Sequence, residues 1–333
     1  MASAAADSPE AGFEARGPRH CRLVPVPCGV CGAGESDLVT VGQDYEYQTT
    51  AEVFSVRRCR SCGFHFLNPR PDIRDLDLIY PPDYYSYAYE STCHPVARWG
   101  RLWLDKRKAK GWLRGTPTRT PRFLDIGCGD GRYLRLFRHW GVPAEQIWGT
   151  ELDGHSVGRL REEGFQVREG MIESVLDLPS GYFDLVILLQ FIEHVAEPAV
   201  MLRRIHDLLA PGGTLVVETP NIRSLDARIF RDHYWGGYHF PRHWHFFDEQ
   251  TLRQLVTRAG LEVTGLRYLP SPVFWVYSLH HVARWKWRRP GLARLLNPFR
   301  NVPLVMAATA FDIARASAGW RTSNLQLLSR KPA

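Results

Sequence analysis

The amino-acid sequence predicts an α/β fold: a doubly wound, mostly parallel β-sheet preceded by a small cysteine ribbon. Residues 123–134 combine a short apolar run, a glycine-rich turn and the start of a helix. Residues 182–189 form a near-continuous apolar run, which is typical of a central parallel strand buried on both faces. Two C-x-x-C motifs, at 28–31 and 59–62, have the spacing of a metal-binding ribbon.

The composition is that of a globular protein with a sizeable core. The chain has 333 residues, of which 44% are hydrophobic and 12% aromatic, enough for one large and one small domain. It contains no uncharged apolar run of about 18 residues, so we expect no transmembrane helix. Residues 1–18 are rich in Ala, Glu, Pro and Gly and lack the apolar core of a signal peptide. They predict a disordered tail and a cytoplasmic protein.

The ribbon is predicted over residues 19–68. Its two cysteine pairs suit tetrahedral zinc, and Gly32 and Gly63 follow them as tight-turn residues. Disulfide pairing is the alternative, but the absence of a signal peptide favours thiolates. The predicted ligands of a structural zinc ion are Cys28, Cys31, Cys59 and Cys62.

The glycine-rich turn indicates a nucleotide-type cofactor. Gly127, Gly129 and Gly131 remove the Cβ atoms that would keep a ligand from the backbone, at the start of a helix. A dinucleotide fingerprint needs glycine where Arg132 stands, which argues against NAD. Glu151 ends the next predicted strand, where a carboxylate can accept hydrogen bonds from ribose hydroxyls.

The remaining elements follow in the order that a doubly wound sheet requires. A helix is predicted over 200–209, and Pro211-Gly212-Gly213 ends it. A helical insertion is predicted over 271–320. The predicted strands after the glycine turn are 146–151, 165–168, 182–189, 214–218, 260–266 and 323–328.

Residues 123–221 resemble the class I S-adenosylmethionine-dependent methyltransferases. The resemblance rests on the glycine motif at 124–131, the fourth-strand motif at 183–186 and the turn at 209–213. It implies a seven-stranded Rossmann-like sheet within a catalytic domain at 119–333, and S-adenosylmethionine as cofactor. The residues that it assigns to the cofactor are Asp125, Gly127, Cys128, Gly129, Gly131, Glu151, Leu152, Met171, Ile172 and Gln190.

The same resemblance assigns each part of the cofactor to particular residues of this set. The glycine loop would hold the methionine part and Glu151 the ribose, while Leu152, Met171 and Ile172 would border the adenine. Many relatives have an aspartate where Met171 stands, so adenine recognition here would use backbone contacts and stacking. An ordinary core methionine is the alternative interpretation of Met171.

Two segments are candidates for the acceptor side. Glu193-His194 resembles the Glu-His pair of many small-molecule methyltransferases, and a histidine there can accept the acceptor's proton. Capping of the following helix is the alternative.

The second candidate is an acceptor-side loop at 222–248. Its Trp235, Gly237, Pro241, Arg242 and His243 match a W-x-G-x-x-x-P-R-H pattern of a bacterial branch active in sugar, cell-envelope and secondary-metabolite biosynthesis.

The roles implied for this loop are catalytic. Arg242 would clamp a phosphate or carboxylate of the acceptor, and His243 is the rival to His194 as general base. A metal site formed by His239, His243 and His245 is a further, less favoured alternative. In the resembling branch, a zinc ribbon leads through a tyrosine-rich linker into the catalytic domain. Residues 68–72 and 80–87 resemble that linker, which is predicted over 69–118, and one of its tyrosines, such as Tyr80, would cover the cofactor or touch the substrate.

The net charge of +7 is unevenly placed. Residues 98–122 hold nine lysines and arginines against Asp105, and residues 271–333 hold ten against Asp312. Tryptophans accompany both clusters, and basic helices that carry tryptophan are of the type that an anionic membrane or a lipid-linked substrate attracts. The alternative is a lid over the active site with solvated charges. Nucleic acid is a less favoured partner.

Together these observations predict methyl transfer to an oxygen or carbon of a small-molecule acceptor, such as a sugar-containing or lipid-linked metabolite. Two alternatives stay open. Zinc ribbons and positive charge also occur in RNA base methyltransferases, although no Asn-Pro-Pro-Tyr motif follows strand four. A non-catalytic, cofactor-sensing partner module is the other. The sequence leaves the oligomeric state open.

Overall fold

The computed structural model describes residues 19–81, 95–116, 118–298 and 301–333, without the side chains of residues 95–99 and 101. The predicted tail at 1–18 and most of the tyrosine-rich part of the linker lie outside the described residues. The strands are β1 (Leu23–Val24), β2 (Ser36–Gly42), β3 (Phe54–Cys59), β4 (His65–Leu67), β5 (Arg70–Pro71), β6 (Phe123–Ile126), β7 (Ile147–Glu151), β8 (Gln166–Glu169), β9 (Phe183–Leu189), β10 (Leu209–Pro220), β11 (His245–Phe246), β12 (Glu262–Leu269) and β13 (Asn324–Arg330).

Ten α-helices accompany these strands in the part of the chain that the structure describes. They are α1 (Leu76–Ile79), α2 (Pro95–Leu113), α3 (Arg132–His139), α4 (Gly154–Glu162), α5 (Pro198–Leu208), α6 (Leu225–Ile229), α7 (Glu249–Arg258), α8 (Pro272–His281), α9 (Pro290–Leu295) and α10 (Val302–Ser317). None of the described helices is long and apolar enough to cross a membrane.

Seven strands form the central sheet, in the order β12-β13-β10-β9-β6-β7-β8. β6, β7, β8, β9 and β10 pair in parallel, whereas β13 runs antiparallel between β10 and β12. The first six residues of β9 are buried, as expected for a strand covered on both faces. The predicted seven-stranded, mostly parallel Rossmann-like sheet is therefore confirmed.

The carboxyl ends of the parallel strands define one edge of this sheet. β6 leads there into the glycine turn, and β9 into the segment that holds Glu193 and His194. Parallel α/β sheets bind ligands at this edge, where the strand order reverses. The edge is therefore the place to look for the active site.

A second sheet has the order β11-β4-β3-β2. β2, β3 and β4 belong to the predicted ribbon, but β11 comes from the acceptor-side loop and pairs antiparallel with β4. Phe64 and Phe66 pack in the same hydrophobic cluster as Ile192 and Val195, which follow the central strand β9. The ribbon and the catalytic domain therefore share both a sheet and a core.

The predicted helical insertion between β12 and β13 is present as α8, a short π-helical turn at Val282–Lys286, α9 and α10. α8 packs against α10 and against the turn at Gly236–Tyr238 in the acceptor-side loop. This contact places the insertion beside the acceptor-side loop.

Candidate active site

The glycine loop occupies the carboxyl end of β6. Gly127, Gly129 and Gly131 all have positive φ, at 72°, 54° and 82°. A Cβ at Gly127 would lie 2.2 Å from the Phe191 ring, and one at Gly131 would lie 2.2 Å from Leu160. A Cβ at Gly129 would meet no described atom within 4 Å. Gly129 therefore faces the open space in which a cofactor would lie.

Glu151 closes the other side of this loop. One carboxylate oxygen accepts from the Gly129 backbone N–H at 2.8 Å, and the other accepts from Leu152 N–H at 2.7 Å and Asp153 N–H at 3.1 Å. This places Glu151 at the end of β7, directly beside the backbone that a nucleoside would approach. Asp125 is buried behind the loop, and burial raises the pKa of its carboxyl to about 8.

The other residues assigned to the cofactor differ in exposure. Leu152 is 48% exposed and Met171 is partly buried, so both offer side-chain surface. Ile172 is fully buried in the hydrophobic core. Burial also raises the pKa of the Cys128 thiol, which packs against Gly149 as a small core group. Gln190 is strained, with φ of 54° at the end of β9.

α2 packs against the central sheet through a network of buried charges. Lys108 Nζ lies 3.1 Å from Glu218 of β10 and 3.6 Å from Asp105. Asp105 also pairs with Arg132 Nε at 3.1 Å and accepts from the Tyr133 hydroxyl at 2.7 Å. The helix is thereby tied to the helix that follows the glycine loop and to β10.

Some tryptophans of the basic clusters are buried in the protein, and others are exposed to solvent. Trp112 is fully buried and donates to Gln326, and Trp285 is partly buried. Trp103 and Trp287 are 51% and 55% exposed. The inner face of α2 therefore packs on the catalytic domain, while Trp103 faces outward.

His194 lies between the linker and the acceptor-side loop. Its Nδ1 is 2.9 Å from the Tyr80 hydroxyl and 3.1 Å from the Arg242 carbonyl. A carbonyl oxygen only accepts, so Nδ1 carries the proton and Nε2 keeps its lone pair. Burial, together with the nearby His239, lowers the pKa of His194 to about 3. His194 is therefore neutral at physiological pH and can accept a proton at Nε2.

His243 and His239 complete a cluster of three histidines. The ring centroids of His194 and His243 are 4.6 Å apart, and those of His239 and His243 are 4.9 Å apart. His243 Nδ1 is 2.8 Å from the Gly237 carbonyl, which again leaves Nε2 unprotonated. Burial holds the pKa of His243 well below its usual value. His239 Nδ1 pairs with Glu46 at 2.6 Å.

Glu193 lies beside the cluster and is completely buried. One oxygen accepts from the Thr219 hydroxyl at 2.9 Å, and the other has no described partner. Burial raises the pKa of Glu193 to about 8, so its carboxyl is protonated at neutral pH. One donor atom from each of Glu193, His194 and His243 lies within 4.8 Å of the other two.

Arg242 occupies a different place from the one predicted. Its guanidinium is fully buried, and two of its nitrogens bond the two Asp44 oxygens at 3.1 Å each. It also stacks 4.4 Å above the Tyr47 ring. In this arrangement Arg242 braces the acceptor-side loop against the ribbon, in place of the predicted clamp on an acceptor phosphate or carboxylate.

Asp44 and Glu46, near the histidines, were not singled out from the sequence, whereas Tyr80 belongs to the linker motif that was. Asp44 and Glu46 come from the segment between β2 and β3 of the ribbon, and Tyr80 follows α1 in the linker. The alternation of acidic and aromatic residues at 44–47 was the signal available in the sequence. His245 lies elsewhere, stacked on Phe64 and bonded to the Val195 carbonyl.

The four ribbon cysteines converge on one point. Cys28 Sγ is 3.5 Å from Cys62 Sγ, and Cys31 Sγ is 3.5 Å from Cys59 Sγ. A disulfide would need about 2.05 Å. Tetrahedral zinc with Zn–S bonds of about 2.3 Å places its sulfurs roughly 3.8 Å apart. The sulfurs thus fit the coordination sphere of a zinc ion.

Comparison with known proteins agrees with the fold. A family model described as a methyltransferase domain matches residues 89–266. The ubiquinone biosynthesis O-methyltransferase of Bordetella bronchiseptica is 31% identical over 186 residues, covering 51% of this chain and 75% of that protein. The protein of the same name from Caulobacter sp. strain K31 is 35% identical over 115 residues, and this chain spans only 45% of its length.

Solved structures give more distant likenesses. One is the 1,6-didemethyltoxoflavin-N1-methyltransferase of Burkholderia thailandensis, which is 15% identical with a TM-score of 0.48. The match covers 84% of this chain and 96% of that protein. An Archaeoglobus fulgidus S-adenosylmethionine-dependent methyltransferase is 18% identical, with a TM-score of 0.45. The match covers 69% of this chain and 94% of that protein. Because the family model spans more than half of the chain, the protein belongs to the methyltransferase domain family and is an S-adenosylmethionine-dependent methyltransferase.

Proposed function

We propose that the enzyme methylates an oxygen or carbon of a small-molecule acceptor, with His194 as the general base. The acceptor would lie at the carboxyl ends of β9 and β10, beside the acceptor-side loop. Two relatives are named as O-methyltransferases, which supports a small hydroxylated acceptor. The resemblance of the loop and linker to the sugar and cell-envelope branch favours a sugar-containing or lipid-linked one.

The position and tautomer of His194 carry this proposal. Phe191, three residues earlier, packs on Gly127, so the His194 segment is in contact with the cofactor loop. His194 is partly exposed, whereas His243 is only 5% exposed. Both have a free Nε2 lone pair, but that of His194 is the more accessible. His243 then has a positioning role, and Glu193 offers a protonated carboxyl beside it.

S-adenosylmethionine supplies a methyl group on a sulfonium leaving group. The residues on this chain therefore have to orient the acceptor and remove its proton. His194 would take that proton at Nε2 as the acceptor's oxygen or carbon becomes nucleophilic. The resulting imidazolium is stabilised at Nδ1–H by the Arg242 carbonyl and the Tyr80 hydroxyl, which both lie within hydrogen-bonding distance.

The cofactor and metal assignments belong to the same proposal. The glycine loop and Glu151 would hold S-adenosylmethionine, with Leu152 and Met171 beside the adenine. Cys28, Cys31, Cys59 and Cys62 would hold a structural zinc ion, which supplies no chemistry to the transfer. Its role is to fix the ribbon, and through the ribbon Asp44 and Glu46, against the acceptor-side loop.

A substitution of the proposed base tests the function. His194→Asn should lower the rate of methyl transfer by roughly 10²–10⁴-fold, the usual contribution of a general base. His139→Asn, at an exposed position on α3, is the matched control and should keep the wild-type rate. The assay is transfer of label from methyl-labelled S-adenosylmethionine to metabolites extracted from the native cell. Calorimetric titration with the cofactor should give equal affinities for both variants.

Two results would contradict the proposal. Full turnover by His194→Asn would remove His194 as the base. Cofactor binding by the wild-type protein without transfer to any extracted metabolite would favour a sensing module. Salt-sensitive binding and methylation of RNA in the same extract would instead favour the RNA alternative.

A further inference from the structure

α10 buries its charged residues and exposes apolar ones, the reverse of an ordinary surface helix. A surface helix normally buries an apolar stripe and exposes its polar face. The two charged residues of α10, Asp312 and Arg315, are 0% and 7% exposed and point toward the protein. The residues on the opposite face are Pro303, Met306, Ala307, Ala310, Ile313, Ala314 and Ser317, all of them exposed.

The inward charges form buried hydrogen bonds, which fix the orientation of the helix. Asp312 accepts from Arg315 at 3.0 Å, from Ser323 at 3.0 Å and from the Trp275 indole at 3.2 Å. Rotating α10 to hide its apolar face would break these buried bonds. Met306 and Ile313 therefore stay 60% and 43% exposed as a consequence of the fold.

Uncompensated arginines lie at both ends of α10. At the amino end, the Asn301 amide donates to the Leu295 carbonyl at 2.7 Å, and the exposed Arg294 is the residue before Leu295 in the chain. At the carboxyl end, Arg228 and Arg321 line a groove of about 650 Å³ together with Arg315 and Trp320. Among the described residues, no carboxylate forms an ion pair with Arg228, Arg294 or Arg321.

We propose that the outward face of α10, with the arginines at its two ends, docks on an anionic phospholipid surface. An uncharged apolar helix face flanked by arginines suits the boundary between acyl chains and anionic headgroups. Trp320, 63% exposed at the end of the helix, adds an amphipathic ring of the type enriched at that boundary.

The same charges argue against a second copy of the chain as the occupant. The outward face of α10 carries no acid, and the flanking Arg228, Arg294 and Arg321 form no ion pair among the described residues, so two such faces would repel each other. An anionic bilayer attracts them instead. The inference concerns binding alone and does not depend on the identity of the base or the acceptor.

Co-sedimentation of the full chain with vesicles tests this inference. Wild-type protein should sediment with vesicles of equal parts phosphatidylcholine and phosphatidylglycerol, and only weakly with phosphatidylcholine alone. Met306→Glu with Ile313→Glu should abolish sedimentation. The matched control is Leu176→Glu with Val200→Glu, which adds two charges at apolar positions that are exposed outside the α10 face. It should sediment like the wild type.

Arg228→Gln with Arg321→Gln should weaken binding to the anionic vesicles by roughly fivefold for each charge removed, and added salt should weaken the wild type. Thermal unfolding and cofactor titration confirm that each variant is folded. Failure of the folded wild type to sediment, or equal loss in the control variant, would overturn the proposal. Dimerisation in light scattering that Met306→Glu with Ile313→Glu abolishes would assign the face to a second copy and overturn it as well.

Discussion

The three glycines of the cofactor loop have different reasons to be glycine. Gly127 and Gly131 are confined by Phe191 and Leu160, so any side chain there would disturb packing. Gly129 combines a positive φ with open space, so a side chain there would cost backbone strain but no clash with the protein. Of the three, only Gly129 can therefore be substituted to test ligand binding without disturbing the packing of the protein.

Gly129→Arg should block the cofactor site without unfolding the protein. We expect the affinity for S-adenosylmethionine to fall by at least about tenfold, or 1.4 kcal/mol. The left-handed backbone should cost about 1–2 kcal/mol of unfolding free energy. Gly141→Arg is the matched control, because Gly141 has φ of 87° and no described atom within 4 Å of its Cβ position. Calorimetry and urea unfolding measure the two effects, and equal cofactor affinity in both variants would contradict the assignment.

Glu193 should make stability depend on pH in a specific direction. Its folded-state pKa is raised to about 8 by burial, from an ordinary value of 4.5, so the folded state keeps a proton that the unfolded state releases. This contribution to stability is present below pH 4.5 and is lost as the pH rises toward 8. The loss amounts to about 1.4 kcal/mol per pH unit within this window.

Glu193→Gln should remove that dependence and keep the bond from Thr219. Compared with the wild type, it should gain stability steadily between about pH 5 and pH 8. The same change at Glu35, which is 82% exposed, serves as the control and should leave the pH profile unchanged. Urea unfolding across this range provides the measurement. A constant difference between Glu193→Gln and the wild type would mean that Glu193 is ionised in the folded protein.

At the scale of elements, α2 is held to the sheet by charges as well as by apolar contacts. Lys108 lies between Glu218 and Asp105, and Arg132 supplies the second positive charge of this group. The neighbouring Lys110 is exposed and is the natural comparison. We therefore expect the buried Lys108 to hold α2 on the catalytic domain more than the exposed basic residues of the same helix do.

Lys108→Met should destabilise the protein by roughly 3–5 kcal/mol, because it leaves Glu218 buried without its cationic partner and Asp105 with Arg132 alone. Lys110→Met removes the same charge from the same helix and should cost less than about 0.5 kcal/mol. Chemical denaturation followed by tryptophan fluorescence distinguishes the two, since Trp112 is buried beside Gln326. Equal small losses would show that the network is solvated and adds little.

Elements with a regular pattern were predictable from the sequence, and contacts between distant segments were not. The apolar run at 183–189 has a local signal and forms β9, whereas residues 211–213, predicted as a turn before a strand at 214–218, lie inside β10, which begins at Leu209. Arg242 was predicted from its loop motif to face the acceptor. Its buried partner Asp44 is 198 residues away, and nothing local in the sequence connects the two. The Lys108–Glu218 pair, 110 residues apart, was missed for the same reason.

At the scale of the whole molecule, the ribbon is built into the catalytic domain. β11 of the acceptor-side loop extends the ribbon sheet, and Cys28 and Phe64 share a hydrophobic cluster with Val195. The spacing of the cysteines predicted a ribbon, but no motif predicted that its hairpin would hold His239 and Arg242. The ribbon and the sheet are therefore expected to unfold together, as a single cooperative unit.

Removal of zinc tests this coupling. Chelation, or Cys59→Ser, should remove one zinc ion per chain and destabilise the whole protein, since a structural zinc ion contributes folding free energy directly. A loss of several kcal/mol corresponds to a Tm lower by roughly 10 °C, at about 2–4 °C per kcal/mol. Cys21→Ser, a buried cysteine outside the cluster, should retain the metal. Elemental analysis and calorimetry measure both effects. If the ribbon instead melted in a separate transition that left the catalytic domain and its cofactor affinity intact, the shared core would contribute little, and Asp44 and Glu46 would not hold the histidine cluster in place.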